Sequence, residues 1–295
     1  MSFTLDWVVH EETTIKEFLK KQKISKAALT DIKFKGGKIT VNDVEENVRY
    51  TLKKGDHLKI VFPLEKPSEG LVSEKIPLHI VYEDENLLVV QKPYGMNTIP
   101  SREHPTGSLA NALMGYYQEK GIEATTHIVT RLDRDTSGLV LVAKHRYIHH
   151  LLSEQQKSGG VKRKYVAFAE GSLLANDTIN QPIGRCADSI IKREVRTDGQ
   201  YAVTHYKVLA SYTKFTIVEL TLETGRTHQI RVHLAHIGHP LLGDDLYGGS
   251  KELMNRQALH CYYLSFSHPV TNEQMEFSIN LPEDMQKLKE QSERS

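Results

Sequence analysis

The segment Thr130-Arg131-Leu132-Asp133-Arg134-Asp135-Thr136-Ser137-Gly138 runs without interruption into Leu139-Val140-Leu141-Val142-Ala143. The apolar pentamer has the length and composition of a strand buried on both faces. Thr136-Ser137-Gly138 ahead of it reads as a turn. Guanidinium and carboxylate groups that alternate just before a core strand are held at a set depth, whereas a solvated loop would leave them free. Such a cluster admits two readings. It is a site where fixed charges perturb one another for chemistry, or it is a charged turn whose ion pairs are structural.

Working outward, Ile80-Val81-Tyr82 and Leu87-Leu88-Val89-Val90 flank Glu83-Asp84-Glu85-Asn86 and read as a hairpin. Further strands are expected at Lys164 to Ala169, Ala202 to Leu209, Phe215 to Leu222 and Gln274 to Ile279, and helices over Ser108 to Lys120 and His145 to Gln156. Strands mixed with irregularly spaced helices, without a repeated strand–helix–strand unit, predict an α+β fold with a mixed, mainly antiparallel sheet. Between Arg226 and Gly238, the residues Ile230, Leu234 and Ile237 recur at helical spacing, and Gly238 stops the helix with Pro240 just beyond. Arg231 lies at the edge of that stripe, so its guanidinium is semi-buried and requires a carboxylate to offset desolvation. Asp133 is the best candidate. The last dozen residues read as a polar, frayed helix.

Residues 1–66 read as a separate unit, 67–77 as a linker rich in turn-formers (Pro67-Ser68-Glu69-Gly70), and 78–295 as the main domain. In the first unit, Ile15-Lys16-Glu17-Phe18-Leu19 opens an amphipathic helix and Ser25 caps a second. Lys38-Ile39-Thr40-Val41 and Leu58-Lys59-Ile60-Val61-Phe62 read as short strands. Eight lysines between Lys16 and Lys38 face only Glu17 and Asp31. The whole chain carries 38 Lys and Arg against 37 Asp and Glu, a net charge of +1, so any polyanion must be held by local basic patches. The acidic start (Asp6, Glu11, Glu12) is expected not to be a secretory signal, and no stretch approaches membrane-spanning length. Two cysteines without paired spacing, Cys186 and Cys261, point to reduced thiols in the cytoplasm.

The string Arg-Leu-Asp-x-x-Thr-Ser-Gly-Leu beginning at Arg131 resembles the signature of the RluA/RluD-type family of RNA pseudouridine synthases. Other segments match that family in order: Lys92-Pro93-Tyr94-Gly95-Met96, Lys164-Tyr165-Val166-Ala167, Pro182-Ile183-Gly184-Arg185, Thr224-Gly225-Arg226-Thr227-His228-Gln229-Ile230-Arg231-Val232-His233, Gly243-Asp244 and Arg256-Gln257-Ala258-Leu259-His260. The likeness covers about residues 76 to 282, with Thr130 where the family usually has His or Asn. The first 66 residues resemble the small αL RNA-binding domain of a ribosomal protein, with lysines in place of its usual arginines. The resemblance implies an isomerase that needs no cofactor, because exchanging a carbon–nitrogen for a carbon–carbon glycosidic bond involves no redox change and no net group transfer. It implies Asp133 as the carboxylate at the sugar, paired with Arg231, and Tyr165 as the aromatic face under a uridine extruded from RNA. Whether Asp133 adds covalently or removes a ribose proton stays open. Asp135, the rival carboxylate, reads as a turn-capping group. Ile230 adds an apolar wall, and Lys92, Arg131, Arg134, Arg185 and Arg226 are candidate phosphate contacts. The expected partner is RNA, ribosomal RNA first, bound by a monomer.

Two other classes compete. A catalytically silent RNA-binding or ribosome-assembly factor has no reason to keep Asp133, Tyr165 and Arg231 together. A metal-dependent hydrolase would use His228, His233, His236 and His239, but their spacings of 5, 3 and 3 fit no standard ligand pattern, so no metal is expected.

Overall fold

The structure is a computed structural model that describes residues 3–66, 68 and 70–294. Pro67 and Glu69 of the expected linker lie outside the described residues. The apolar pentamer forms the strand Ser137–Ala143, every residue of which is buried. It pairs antiparallel with Leu87–Lys92 on one side and, at Ser137 and Gly138, parallel with Leu259–Ser267 on the other. Gly138 is required at that junction. Its φ is +127°, and a Cβ there would overlap the backbone of Cys261.

Around this strand the described residues form a sheet of ten strands, whose remaining pairings are antiparallel. The expected α+β architecture with a mixed, mainly antiparallel sheet is what the chain adopts. Lys162–Glu170 and Phe215–Leu222 lie further across the sheet, with Val203–Ser211 beyond them. The expected strands and helices are present within a few residues of their anticipated ends. Several short strands were not anticipated, nor were two longer ones. Leu259–Ser267 is central, yet its sequence Leu-His-Cys-Tyr-Tyr-Leu-Ser-Phe-Ser mixes polar and apolar residues and hides its period. Thr4–Val8 pairs with His57–Val61 in the N-terminal sheet.

The side-chain alternation of the central strands sorts their residues into two of the core's clusters. Leu139 and Leu141 pack with Leu87 and Val89 on one face, together with Tyr147, Ile148 and Leu152 of the helix Arg146–Lys157. Val140 and Val142 pack with Leu88 and Val90 on the other, where Leu109, Leu113 and Tyr117 of the helix Leu109–Lys120 cover them. A strand covered on both faces has no polar side to display, hence its unbroken apolar run. The second face also holds Leu132, Tyr165 and Ile230, so three of the family-like segments converge there.

The N-terminal unit has two helices, Ile15–Lys21 and Lys26–Phe34, capped by Thr14 and Ser25. It docks over the first face. Tyr147 Oη donates to the Gln22 carbonyl at 2.6 Å, Arg146 Nη1 meets Asp31 at 3.1 Å, and Phe3 stacks on His145 at 4.2 Å. The C-terminal helix Glu283–Glu293 corrects the expectation of a frayed end. Met285 and Leu288 are buried, and Asp284 takes both Nε and Nη2 of Arg256 at 2.7 and 2.9 Å.

Candidate active site

The loop from Thr130 to Thr136 has no regular structure, so its shape depends on side chains from elsewhere. Thr130 Oγ1 accepts the Leu141 amide at 2.9 Å, and Thr98 Oγ1 both donates to the Leu132 carbonyl (2.6 Å) and accepts from its amide (3.1 Å). Arg256 Nη1 donates to the Asp135 carbonyl at 3.1 Å, and Gln257 Nε2 donates to Thr136 Oγ1 at 2.7 Å. Lys92 Nζ donates to the carbonyls of Pro93, Met96 and Arg134 at 2.8, 2.7 and 3.0 Å. A loop held at nearly every residue keeps its functional group in place before substrate arrives. Asp135 enters this scheme through its backbone.

Asp133 of this loop has its side chain 28% exposed. Arg231 Nη1 donates to its Oδ2 at 3.1 Å. The same guanidinium makes a second, closer pair: Nε and Nη2 donate to the two oxygens of Asp244 at 2.7 and 2.8 Å. Asp244 is 2% exposed and Arg231 7%. Burial alone would lower the arginine's pKa, but the hydrogen bonds and charge of Asp244, then of Asp133, raise it above the ordinary value. Asp244 thus neutralises Arg231 and aims its remaining nitrogen at Asp133. Gly243, at φ +75°, makes this placement possible, since a Cβ would run into the Arg256 carbonyl. The Gly243-Asp244 string was visible in the sequence, but nothing in it announced a bidentate partner for an arginine 13 residues away.

Around Asp133 opens a cleft of about 460 Å³, lined among others by Arg131, Leu132, Arg163, Tyr165, Leu222, Arg226, His228, Ile230 and Leu259. Tyr165 is buried on its strand, its ring under the Arg163 guanidinium at 5.9 Å, and burial raises its hydroxyl pKa. Ile230 projects from the first turn of the helix Gln229–His236. Arg131 and Arg226 are exposed at the lip, and Arg226 Nε donates to the Tyr201 carbonyl at 3.0 Å. The structure therefore brings together Asp133, Tyr165, Arg231, Arg131, Ile230 and Arg226.

Arg134 is exposed outside the lining, and Arg185 stands on a separate hairpin, Ile183–Arg185 paired with Arg193–Val195. Lys92 requires correction as a phosphate contact. It has no exposed surface and all three of its protons go to backbone carbonyls, so it shapes the loop from inside. Burial pushes its pKa down to about 7, opposed by Asp133 and Asp135. Arg163, His228 and Tyr247 were missed as neighbours of the site. Arg163 directly precedes the Lys164 segment and carries no pattern of its own. Among the described residues no group of three or more His, Cys, Asp or Glu could hold a metal ion. His233 contacts Thr204 and the Gln181 carbonyl at 2.9 Å each, and His239 contacts the Glu170 carbonyl at 2.7 Å.

Residues 86–236 match a family model described as RNA pseudouridylate synthase. The chain is 54% identical over 276 residues to a protein of Bacillus subtilis strain 168 named an uncharacterized RNA pseudouridine synthase, covering 93% of this chain and 98% of that one. It is 38% identical over 265 residues to ribosomal large subunit pseudouridine synthase D of Haemophilus influenzae, covering 85% and 82% respectively. In fold it resembles human RNA pseudouridylate synthase domain containing 4, with a TM-score of 0.60 over 73% of this chain and 93% of that chain, at 24% identity.

Proposed function

The chain belongs to the RNA pseudouridylate synthase family and isomerises uridine in RNA, and from that premise we propose that Asp133 carries the reaction, on ribosomal RNA and without a cofactor. The reaction breaks the bond from ribose C1′ to uracil N1, forms a bond from C1′ to C5, and moves one proton from C5 to N1. What it asks of the protein is a charged carboxylate at the sugar and a surface on which the freed uracil can turn.

The observation that carries the reading is the Asp244–Arg231–Asp133 arrangement at the floor of a cleft walled by Tyr165 and Ile230. The partly exposed Asp133 carboxylate is held by a guanidinium that Asp244 has already neutralised. The carboxylate therefore keeps its place while remaining free on its outer side. Covalent addition to the sugar and removal of a ribose proton both begin from that state. A uridine must leave its stack to reach it, and Tyr165 offers the flat apolar surface, with Leu222 and Leu259 beside it. The Tyr165 phenol stays protonated, since burial opposes its ionisation. Arg131, Arg163 and Arg226 surround the opening with positive charge suited to phosphates.

The ribosomal assignment draws on the Haemophilus relative's name and on the N-terminal unit, all eight of whose helix-region lysines are exposed. This unit supplies the second RNA contact, and the protein works as a cytoplasmic monomer. No helix among the described residues is long and apolar enough to cross a membrane. The test is to quantify pseudouridine in RNA treated with the wild type or with Asp133→Asn. No product, with RNA affinity within a few fold of wild type, is expected; normal turnover would remove the mechanism. Mapping modified positions in cellular RNA with and without the protein tests the ribosomal substrate.

A further inference from the structure

Behind Asp133 several groups meet at Tyr247, which ends the short 3-10 turn Asp245–Tyr247 directly after Asp244. Its hydroxyl lies 2.9 Å from His228 Nδ1 and accepts the Arg193 amide at 3.0 Å. Its ring lies 5.0 Å from the Arg231 guanidinium and meets the His228 ring edge-on at 5.8 Å. His228 is the residue before the helix Gln229–His236 and has a left-handed backbone, φ 58° and ψ 18°. That conformation is strained for a residue with a Cβ. It sets Nε2 at 3.8 Å from Asp133 Oδ2. None of the other non-glycine residues with positive φ among those described (Lys23, Asn42, Asp43, Asn272) lines the cleft.

The position of the imidazole proton follows from the hydrogen bonds of the phenol. Tyr247 Oη already accepts the Arg193 amide, and among the described residues its own proton has one acceptor in reach, His228 Nδ1. Nδ1 is then an acceptor, and the neutral ring carries its proton on Nε2, toward Asp133.

We propose that Tyr247 is a positioning residue of the isomerisation: by donating to Nδ1 it keeps the His228 proton on Nε2, directed at Asp133, and it ties that pair to the hairpin bearing Arg193. The inference rests on Asp133 as the reacting carboxylate. The charged groups facing His228 are Asp133 from the loop, Arg231 from the helix, Asp244 from the preceding turn and Arg193 from the hairpin. Burial lowers the imidazole's pKa, with Asp133 opposing, so the ring is neutral at pH 7. Protonation would turn His228 from a directing donor into a cation that ties up the carboxylate.

The test is Tyr247→Phe, which keeps the ring against Arg231 and removes only the hydroxyl. The expected result is a kcat on RNA lower by roughly 10- to 100-fold, the loss that a misplacement of about 1 Å produces, with KM within about twofold. The acid limb of the kcat profile moves to higher pH, because Nδ1 without its donor takes a proton more readily. In protein labelled with ¹⁵N-histidine, the His228 shifts lose the pure Nε2–H pattern. If Tyr247→Phe does not fold, His228→Asn decides, since asparagine tolerates the left-handed backbone; it should lose kcat to a similar degree. Wild-type kcat and pH profile in the folded variant, or wild-type turnover by His228→Asn, overturns the inference while an inactive Asp133→Asn leaves the Asp133 reading standing. Turnover by Asp133→Asn removes both.

Discussion

Replacing each of the two aspartates around Arg231 by asparagine separates chemistry from structure. Asp244 is nearly inaccessible and takes two charged hydrogen bonds, at 2.7 and 2.8 Å. In Asp244→Asn the buried guanidinium loses its main counter-charge, and the amide turns an NH2 group toward an arginine N–H. Breaking a buried pair from one side costs about 3–5 kcal/mol. At roughly 3 kcal/mol, and about 2–4 °C per kcal/mol for a domain of this size, Tm falls by about 6–12 °C. Asp133 is partly exposed and takes one hydrogen bond at 3.1 Å. Its replacement leaves Arg231 paired with Asp244 and removes the repulsion between two carboxylates sharing one cation. The cost is below about 1 kcal/mol and Tm stays within about 4 °C. Differential scanning calorimetry and pseudouridine quantification on the same preparations read both effects. Asp133→Asn should be stable and inactive; Asp244→Asn should be unstable and impaired through displacement of Arg231. Equal losses of stability in the two variants would refute the division of roles, since Asp133 would then be a structural ion-pair partner.

Lys92→Met leaves the partly buried carbonyls of Pro93, Met96 and Arg134 without their common donor, at about 1 kcal/mol each, less the relief of no longer burying a charge; a net loss of about 1–3 kcal/mol in denaturant unfolding and a reduced kcat are expected, and unchanged stability would show that Lys92 does not hold the loop. Tyr165→Ala should lower kcat/KM by roughly 10- to 100-fold, from about 1–3 kcal/mol of lost stacking, with Tyr165→Phe retaining most of it; the reverse order would assign the work to the hydroxyl. Exchanging Lys20, Lys23, Lys26 and Lys33 for glutamine tests the N-terminal surface without undocking it. The slope of log affinity against log salt should become shallower by about 0.7–0.9 for each RNA phosphate no longer neutralised, and an unchanged slope would leave these lysines a solvated face. His260 is buried beside Ser137, and burial pushes its pKa down from 6.5 to about 4. The unfolded chain binds that proton first, so stability is present above about pH 6.5 and is lost as the pH falls toward 4, on the order of 3 kcal/mol in all. Melting curves between pH 7 and 4.5 should show the decline, flattened in His260→Asn.

Local sequence carried much of this protein. The pentamer Leu139 to Ala143 could only be a strand covered on both sides, because nothing in it tolerates water. Ser25 marked a helix start through a hydroxyl that satisfies a free amide. The period of Ile230, Leu234 and Ile237 set Arg231 at a buried edge, and a buried guanidinium requires a carboxylate. What local pattern could not do was choose among carboxylates, since that choice is made by distance between segments. Asp244 takes two of the arginine's donors because the turn at Gly243 brings it there. Lys92 reads as a surface cation in a turn-rich string, and only the packing of three carbonyls around it makes it an internal clamp. The same holds for Leu259–Ser267, whose mixed composition hides a central strand, and for Tyr247, which joins Arg193 of a hairpin to His228 and Arg231 at the start of a helix. Sequence by itself determined which residues had to be buried, capped or charged, because those demands are met within a few residues of chain. Tertiary structure alone decided which charge meets which, because a Coulombic or hydrogen-bonded pair depends on ångströms across space and leaves no period in the chain.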